Sequence, residues 1–492
     1  MAKAILCACE DVALSEVRRA FARGHRDLES MKRYTGFGTG PCQGKSCLNA
    51  VVQELLRLGA TPAEIAPFTP RPPFQPVTFG TLAALDPADL PIDEGVPVPS
   101  LPPPPRPAPS GPVPDRADVV IVGGGILGLS LAHELTLRGV RDVVVLERGY
   151  LNAGASGRNG GGVRAQWSTP TMVRLGLRSL QLFGAFAGET GVNGWFRRGG
   201  YLFLAPDGTQ VRRLERNLAI QREQGMRTRI LTPGEACEVV PQLDRGRFVA
   251  ASWNPDDGVV FPWPFLWGYA AAAQSRGATV RTFTAVTGLD VRGGLVRAVE
   301  TDAGRIRCDT VVNACGAWSP EVARLAGVTL PNRPTRHEIL VSGPLKPWLG
   351  PLVSALGTGL YFSQSQRGEI VGGMGDPAEP AGIAHGSTLR FLARFSRAIT
   401  EYVPAVASLP VMRQWAGNYD VTPDNSPILG AAGPANFLQL SGFVGHGFMM
   451  APAVAELMAD WMTGREKDEI FDRFTLDRFE RGPAVREDFI IG

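Results

Sequence analysis

The stretch Asp118-Val-Val-Ile-Val-Gly123-Gly-Gly125-Ile-Leu-Gly128, followed after a helical interval by Asp142-Val-Val-Val-Leu-Glu147, decides the fold. An apolar β-run meets a glycine-rich turn, the pattern predicts a helix from Ile126 to Arg138, and a second apolar strand ends on an acid 24 residues after Gly123. A bare Gly-x-Gly-x-x-Gly is a weak signal, but between a strand and a helix, with an acid at that distance, it is a dinucleotide fingerprint. Gly123 permits the tight turn, Gly125 lets a pyrophosphate approach the backbone, and Gly128 lets the helix pack close, with its N-terminus toward the phosphates. Glu147 is placed to accept ribose hydroxyls. The fingerprint occurs once, so one dinucleotide is expected by this mode. From residue 117 onward strands and helices alternate as in an α/β protein, interrupted by long β-rich segments, and the fold class expected is α/β with a Rossmann-like domain.

The chain has 492 residues, enough for about three structural units. It is 44% hydrophobic and 20% charged, which excludes wholesale disorder. Lysine plus arginine total 50 against 47 acids, a balance of +3, so no global field is available to hold a nucleic-acid backbone or an anionic membrane. No segment reaches the roughly 18 apolar residues of a spanning helix, and the expectation is a cytoplasmic protein acting on a small molecule. Proline divides the chain: residues 61–116 hold 18 of the 41 prolines. That segment is expected to be a linker, extended as polyproline from Val96 to Pro114. Its first half, with Phe68, Phe74, Val77, Phe79 and Leu82, is too apolar for water and should lie along a domain surface. Residues 197–229 carry eight arginines against three acids, a solvated face or a docking surface for an acidic partner.

Upstream, residues 1–60 contain two predicted amphipathic helices, Asp11 to Gly24 and Leu48 to Leu58, around the glycine-rich loop from Thr35 to Lys45. So small a unit has a marginal core, and a metal centre is a reasonable staple. Of the seven cysteines, four fall in the first 47 residues: Cys7, Cys9, Cys42 and Cys47. Four thiolates suit zinc or a 2Fe-2S cluster. Structural zinc usually spaces paired cysteines by two to four residues, so the one-residue gap in Cys7-Ala-Cys9 favours iron and sulfide. Cys-x-Cys, a 32-residue gap and Gly-Pro-Cys-x4-Cys resemble the bacterioferritin-associated-ferredoxin domain, which implies that the four cysteines hold a 2Fe-2S cluster in a small helical domain. Cys237, Cys308 and Cys315 are scattered and read as buried apolar residues.

Four further segments resemble the D-amino-acid oxidase/sarcosine oxidase superfamily in order and spacing: Gly154-Ala-Ser-Gly-Arg-Asn-Gly-Gly-Gly-Val-Arg164, Val311-Val-Asn-Ala-Cys-Gly-Ala-Trp318, Trp415 to Asp424, and Gly442-Phe-Val-Gly-His-Gly-Phe-Met449. The resemblance implies FAD in a glutathione reductase/D-amino-acid oxidase type of fold spanning 117–492, with a β-sheet substrate subdomain of approximately 190–280 and 330–410. It implies that Ser156, Asn159 and Gly160 lie along the flavin and that Val286 contacts adenine. Arg148, Gly316, Gly442, Gly445, His446, Gly447 and Met449 complete the implied cofactor contacts. It places Arg164 at a substrate-carboxylate arginine, with His337 and Tyr361 as candidate pocket lining. Gly417 stands where some members attach FAD through a cysteine, so FAD is expected to be noncovalent.

Met449 replaces the family's second carboxylate ligand, a lysine. The chain has five lysines and, past the linker, only Lys346 and Lys467, neither in a flavin-facing motif. Sarcosine-type oxidases use such a lysine toward oxygen, so a dehydrogenase is expected. With a cluster domain in the same chain, the pattern resembles subunits of the opine oxidase, hydrogen cyanide synthase and proline dehydrogenase group. The expected reaction is FAD-dependent oxidation of the C–N bond of an N-substituted or cyclic amino acid, with electrons leaving through the cluster and with partner subunits in a hetero-oligomer. The alternatives are a 2-hydroxy-acid or glycerol-phosphate-type dehydrogenase, and a non-catalytic electron-transfer subunit.

Overall fold

The computed structural model describes residues 4–65, 68, 71–92, 112–481, 487 and 489; the polyproline expected from Val96 to Pro114 lies almost wholly outside them. The strand Arg116–Val122 pairs in parallel with Val143–Leu146, and the helix Ile126–Leu137 joins them. Gly123 turns the chain at φ 113°. A Cβ on Gly128 would stand 2.1 Å from Gly123 O, so only glycine lets the helix come this near the strand. The sheet has eight strands, in the order Thr279–Arg281, Val143–Leu146, Arg116–Val122, Gly304–Asn313, Leu295–Thr301, Val286–Arg292, with Phe437–Ser441 and Ile428–Ala431 added beside Gly304–Asn313. Nearly every residue of Ile126–Leu137 is buried, because the helices Pro262–Ser275 and Gly447–Met462 pack against it.

A second sheet of nine strands forms the other half of the fold. Its order is Val77–Thr78, Pro410–Val421, Arg333–Pro344, Glu369–Gly373, Leu360–Gln364, Leu352–Ala355, Tyr201–Ala205, Ala250–Asn254, Arg229–Leu231. Apart from Val77–Thr78 it is drawn from 201–254 and 333–421, against the expected 190–280 and 330–410. Residues 262–281 join the dinucleotide half, where Phe265, Leu266, Tyr269 and Ala273 are buried. The expected linker also behaves differently in its first half. Val77 and Thr78 extend the sheet as an edge strand paired with Val411 and Pro410, and Phe79 and Leu82 enter its core beside the helix Leu389–Tyr402. The arginine-rich stretch includes the helix Gly208–Glu223, with Arg212, Arg216 and Arg222 in solvent.

Residues 4–65 form three helices rather than two: Leu14–Ala22, Leu28–Thr35 and Leu48–Arg57. The extra one is short. It is capped by Asp27, whose Oδ1 accepts from Ser30 N at 2.8 Å, and it ends at Gly36 with φ 82°. The unit has its own core of Val12, Val17, Met31, Phe37, Val51 and Leu55 and docks on the rest. Gln43 Nε2 donates to Pro73 O and Met412 O, each at 2.6 Å, Arg413 donates to Thr39 O, Glu10 pairs with Arg367, and the Tyr34 ring lies 4.7 Å from Trp267. Among the described residues no helix is long and apolar enough to cross a membrane. Because Phe79 is fully buried, Phe79→Ala should lower the unfolding free energy of the half built on the nine-stranded sheet by about 3–5 kcal/mol, read by urea titration. An unchanged midpoint would remove residues 77–83 from the folded core.

Candidate active site

A cavity of about 960 Å³ runs between the two sheets. On the dinucleotide side it is lined by Gly123, Gly125, Glu147, Arg148, Val286, Gly447 and Met449, along its length by Ser156, Asn159, Gly160 and Gly316, and on the side of the second sheet by Tyr201, His337, Tyr361 and Tyr419, with Gly445 beside Tyr419. The Glu147 carboxylate accepts from Gly124 N at 3.0 Å and Gly149 N at 2.8 Å, which fixes it at the end of its strand. Burial pushes its pKa up, against the two amide hydrogen bonds that lower it. Ser156 Oγ accepts from Ile126 N at 3.0 Å, tying the loop to the helix N-terminus. A Cβ on Gly125 would meet only Ser156 Oγ, at 3.3 Å, so space remains there for a pyrophosphate to reach the helix dipole. These features fit a dinucleotide.

Other expected cofactor residues shape the cleft from behind. Asn159 Nδ2 donates to Ser156 O at 2.7 Å and its Oδ1 accepts from Gly161 N at 2.8 Å. Gly128 packs on Gly123, and Gly442 N donates to the buried Asp420 at 2.6 Å; neither lines the cavity. His446 lies behind the helix start Gly447, 5.1 Å from Trp167 ring to ring. Both of its ring nitrogens are buried without a partner. Arg148 stacks over Trp318, 4.5 Å from the ring.

On the substrate side, His337 and Tyr361 stand together. His337 Nε2 lies 3.0 Å from Tyr361 Oη, and the imidazole stacks on Tyr419 at 4.4 Å and 9°. Burial holds the His337 pKa down at about 4 and pushes Tyr201 up to about 12 and Tyr361 and Tyr419 up as well. This end is therefore neutral at pH 7, built of aromatic faces and hydroxyls. Tyr201 and Tyr419 were not singled out from sequence. Tyr419 sits two residues from Gly417 in a strand, on the same face, which strand alternation would have revealed; Tyr201 carries no such signal.

Arg164 goes elsewhere. Its Nη2 donates to Phe489 O at 2.6 Å, its Nη1 to Gln166 O, and the guanidinium carbon sits 3.7 Å from the Trp167 ring centre. The guanidinium is not part of the cavity lining, because a C-terminal residue returns beneath the loop and takes its donors. The four N-terminal cysteines fall into two pairs. Cys9 is hydrogen-bonded to Cys42, Cys47 to Cys7, and each pair feels the other. Among the described residues, however, no group of three or more His, Cys, Asp or Glu stands in the arrangement of a metal site.

Residues 118–461 match the family described as FAD dependent oxidoreductase. The chain belongs to that family. Its first 86 residues match a second one, the Sarcosine oxidase A3 domain, a description that says nothing of iron. Sarcosine oxidase subunit beta of Rhodobacter capsulatus is 29% identical over 382 residues, covering 77% of this chain and 92% of that protein. Mitochondrial dimethylglycine dehydrogenase of Mus musculus is 27% identical over 389 residues, 74% of this chain and 44% of that protein. The crystal structure of L-proline dehydrogenase from P. horikoshii superposes with a TM-score of 0.72 at 36% identity, covering 76% of this chain and all of that one. The chain is thus an FAD-dependent amino-acid oxidoreductase by family.

His446 provides a test of the site's electrostatics. Burial and the nearby Arg164 hold its pKa at about 3, from 6.5, so between those values the unfolded state binds a proton that the folded state does not. The stability it contributes is complete above pH 6.5 and falls as the pH drops, by about 1.4 kcal/mol per unit. His446→Phe should show a slope of stability against pH shallower by about that amount, measured by urea titration between about pH 4 and 6. Equal slopes would mean that His446 is already charged in the native protein.

Proposed function

We propose that this chain is an FAD-dependent dehydrogenase of an N-substituted or cyclic amino acid, with a 2Fe-2S cluster on Cys7, Cys9, Cys42 and Cys47 receiving the electrons. The observation that carries the substrate side is the neutral aromatic end of the cavity, where Tyr361 Oη and His337 Nε2 share a hydrogen bond beside Tyr201 and Tyr419. Bound noncovalently, FAD supplies the hydride-accepting chemistry. The chain's residues do the rest. Aromatic faces receive the substituted nitrogen, and the Tyr201 and Tyr361 hydroxyls orient the carboxylate that Arg164, turned to Phe489 and Gln166, does not reach. His337, neutral above about pH 4, puts no positive charge beside the substrate amine, which loses its own proton to water. Loss of hydride from the α-carbon then leaves an imine, which water hydrolyses. Relatives named for sarcosine, dimethylglycine and proline support this class of substrate.

The cluster reading rests on the spacing of the four cysteines and on their pairing, Cys9 beside Cys42 and Cys7 beside Cys47. The subunit-beta relatives support a partner subunit in a larger enzyme. Mixing the oxidised protein anaerobically with proline, sarcosine or an N-carboxyalkyl amino acid should bleach the flavin absorbance within seconds for at least one of them. Tyr361→Phe should raise the concentration for half-reduction about 10-fold, the scale of one lost hydrogen bond, with FAD content unchanged. Reduction by 2-hydroxy acids alone would move the chain to the other dehydrogenase class, and no reduction by any would make it an electron-transfer subunit. Protein purified without air should contain about two irons and two sulfides per chain. Stoichiometric zinc without iron would overturn the cluster.

A further inference from the structure

The loop 150–160 forms much of the cavity wall through Tyr150, Asn152, Ala153, Ser156, Arg158 and Gly160. Within it Asn152 holds φ 77°, the left-handed region in which a side chain is strained. Nothing in its own side chain offsets that strain, since both amide atoms are buried without a partner. Ala153 N donates to Tyr150 O at 3.1 Å and closes a turn around Asn152, and that turn is braced from outside the loop as well. Arg33, on the helix Leu28–Thr35 and 119 residues away in sequence, donates Nη1 to Asn152 O at 3.1 Å, and its Nε is anchored on Glu29 at 2.9 Å. The same guanidinium lies 4.9 Å from the Tyr150 ring and 5.9 Å from Trp263, and Trp263 Nε1 donates to Gly157 O at 2.7 Å. The loop is therefore gripped near its start and middle by side chains that converge on one arginine of the N-terminal unit.

We propose that Arg33 is a positioning residue for the cofactor: by holding Asn152 in its left-handed conformation it links docking of the N-terminal unit to FAD binding. Linkage is reciprocal, so whatever Arg33 contributes to FAD affinity, FAD returns to the docking of residues 28–35. The inference rests on the family's cofactor and is independent of what the four cysteines hold.

The test is FAD titration of the full-length apoprotein. Arg33→Met should weaken binding about 10-fold, the scale of an unsupported left-handed residue. Asn152→Gly should bind FAD as wild type does, since glycine adopts this φ freely, and in that background Arg33→Met should cost at most about twofold. Arg367→Ala, which breaks the docking pair with Glu10 away from the loop, should leave affinity unchanged. An equal loss from Arg33→Met in both backgrounds, no loss in either, or a matching loss in Arg367→Ala would overturn the proposal. Hydrogen exchange on the wild-type chain is independent of variant folding: FAD should slow amide exchange in residues 28–35 as well as in 150–160. Unaltered exchange in 28–35 would also overturn it.

Discussion

The close approach of Gly128 to the Gly123 carbonyl is the contact on which the rest depends. A methyl group at Gly128 would stand 2.1 Å from that oxygen, so any other residue would lift the helix Ile126–Leu137 off its strand. With the helix seated, its N-terminus points into the cavity and all of it but Leu137 is buried. The helices Pro262–Ser275 and Gly447–Met462 then pack on it and bring Leu266 and Met449 to the same wall. The second sheet closes the far side with Tyr201, His337 and Tyr361. One local steric requirement thus sets where the cofactor half ends and the substrate half begins.

The features legible in the sequence are those that short spacing encodes. The strand-glycine-helix unit needs only 30 residues to declare itself. His337 and Tyr361 could be placed on strands from sequence, but both strands are buried on both faces, so alternation does not tell which of their residues face the cavity. The destination of Arg164 was not readable. One of its donors goes to a carbonyl 325 residues away, Phe489 O, and no periodicity near residue 164 reports that. The helix Leu28–Thr35 escaped because only Leu28 and Met31 mark its apolar face, its remaining buried residues being polar or charged. The strand Val77–Thr78 escaped because two residues carry no alternation, and because prolines around it argue for a linker.

Docking of the N-terminal unit alters how electron exit should be pictured. A proline tether suggests a unit that swings, yet Gln43, Thr39, Glu10 and Arg33 each bind the main body. The strand Pro410–Val421 runs from Met412, held by Gln43 beside Cys42, to Gly417 and Tyr419 in the cavity wall. Met412 and Gly417 are five residue steps apart on the strand, about 17 Å at roughly 3.3 Å per residue. The cysteine site and the cofactor cavity therefore share a fixed structural element. Under the proposed function the electrons need no domain motion to leave, and the absence of lysine from the flavin-facing motifs leaves oxygen without its usual cationic assistance.

The most direct test is the fate of the reduced flavin. After anaerobic reduction by an amino-acid substrate, rapid mixing with a one-electron acceptor should reoxidise the flavin fast in the wild-type chain and slowly once Cys7, Cys9, Cys42 and Cys47 are replaced by serine, while air reoxidises both slowly. Reoxidation by oxygen at the full turnover rate, with stoichiometric hydrogen peroxide and no dependence on the four cysteines, would contradict the account.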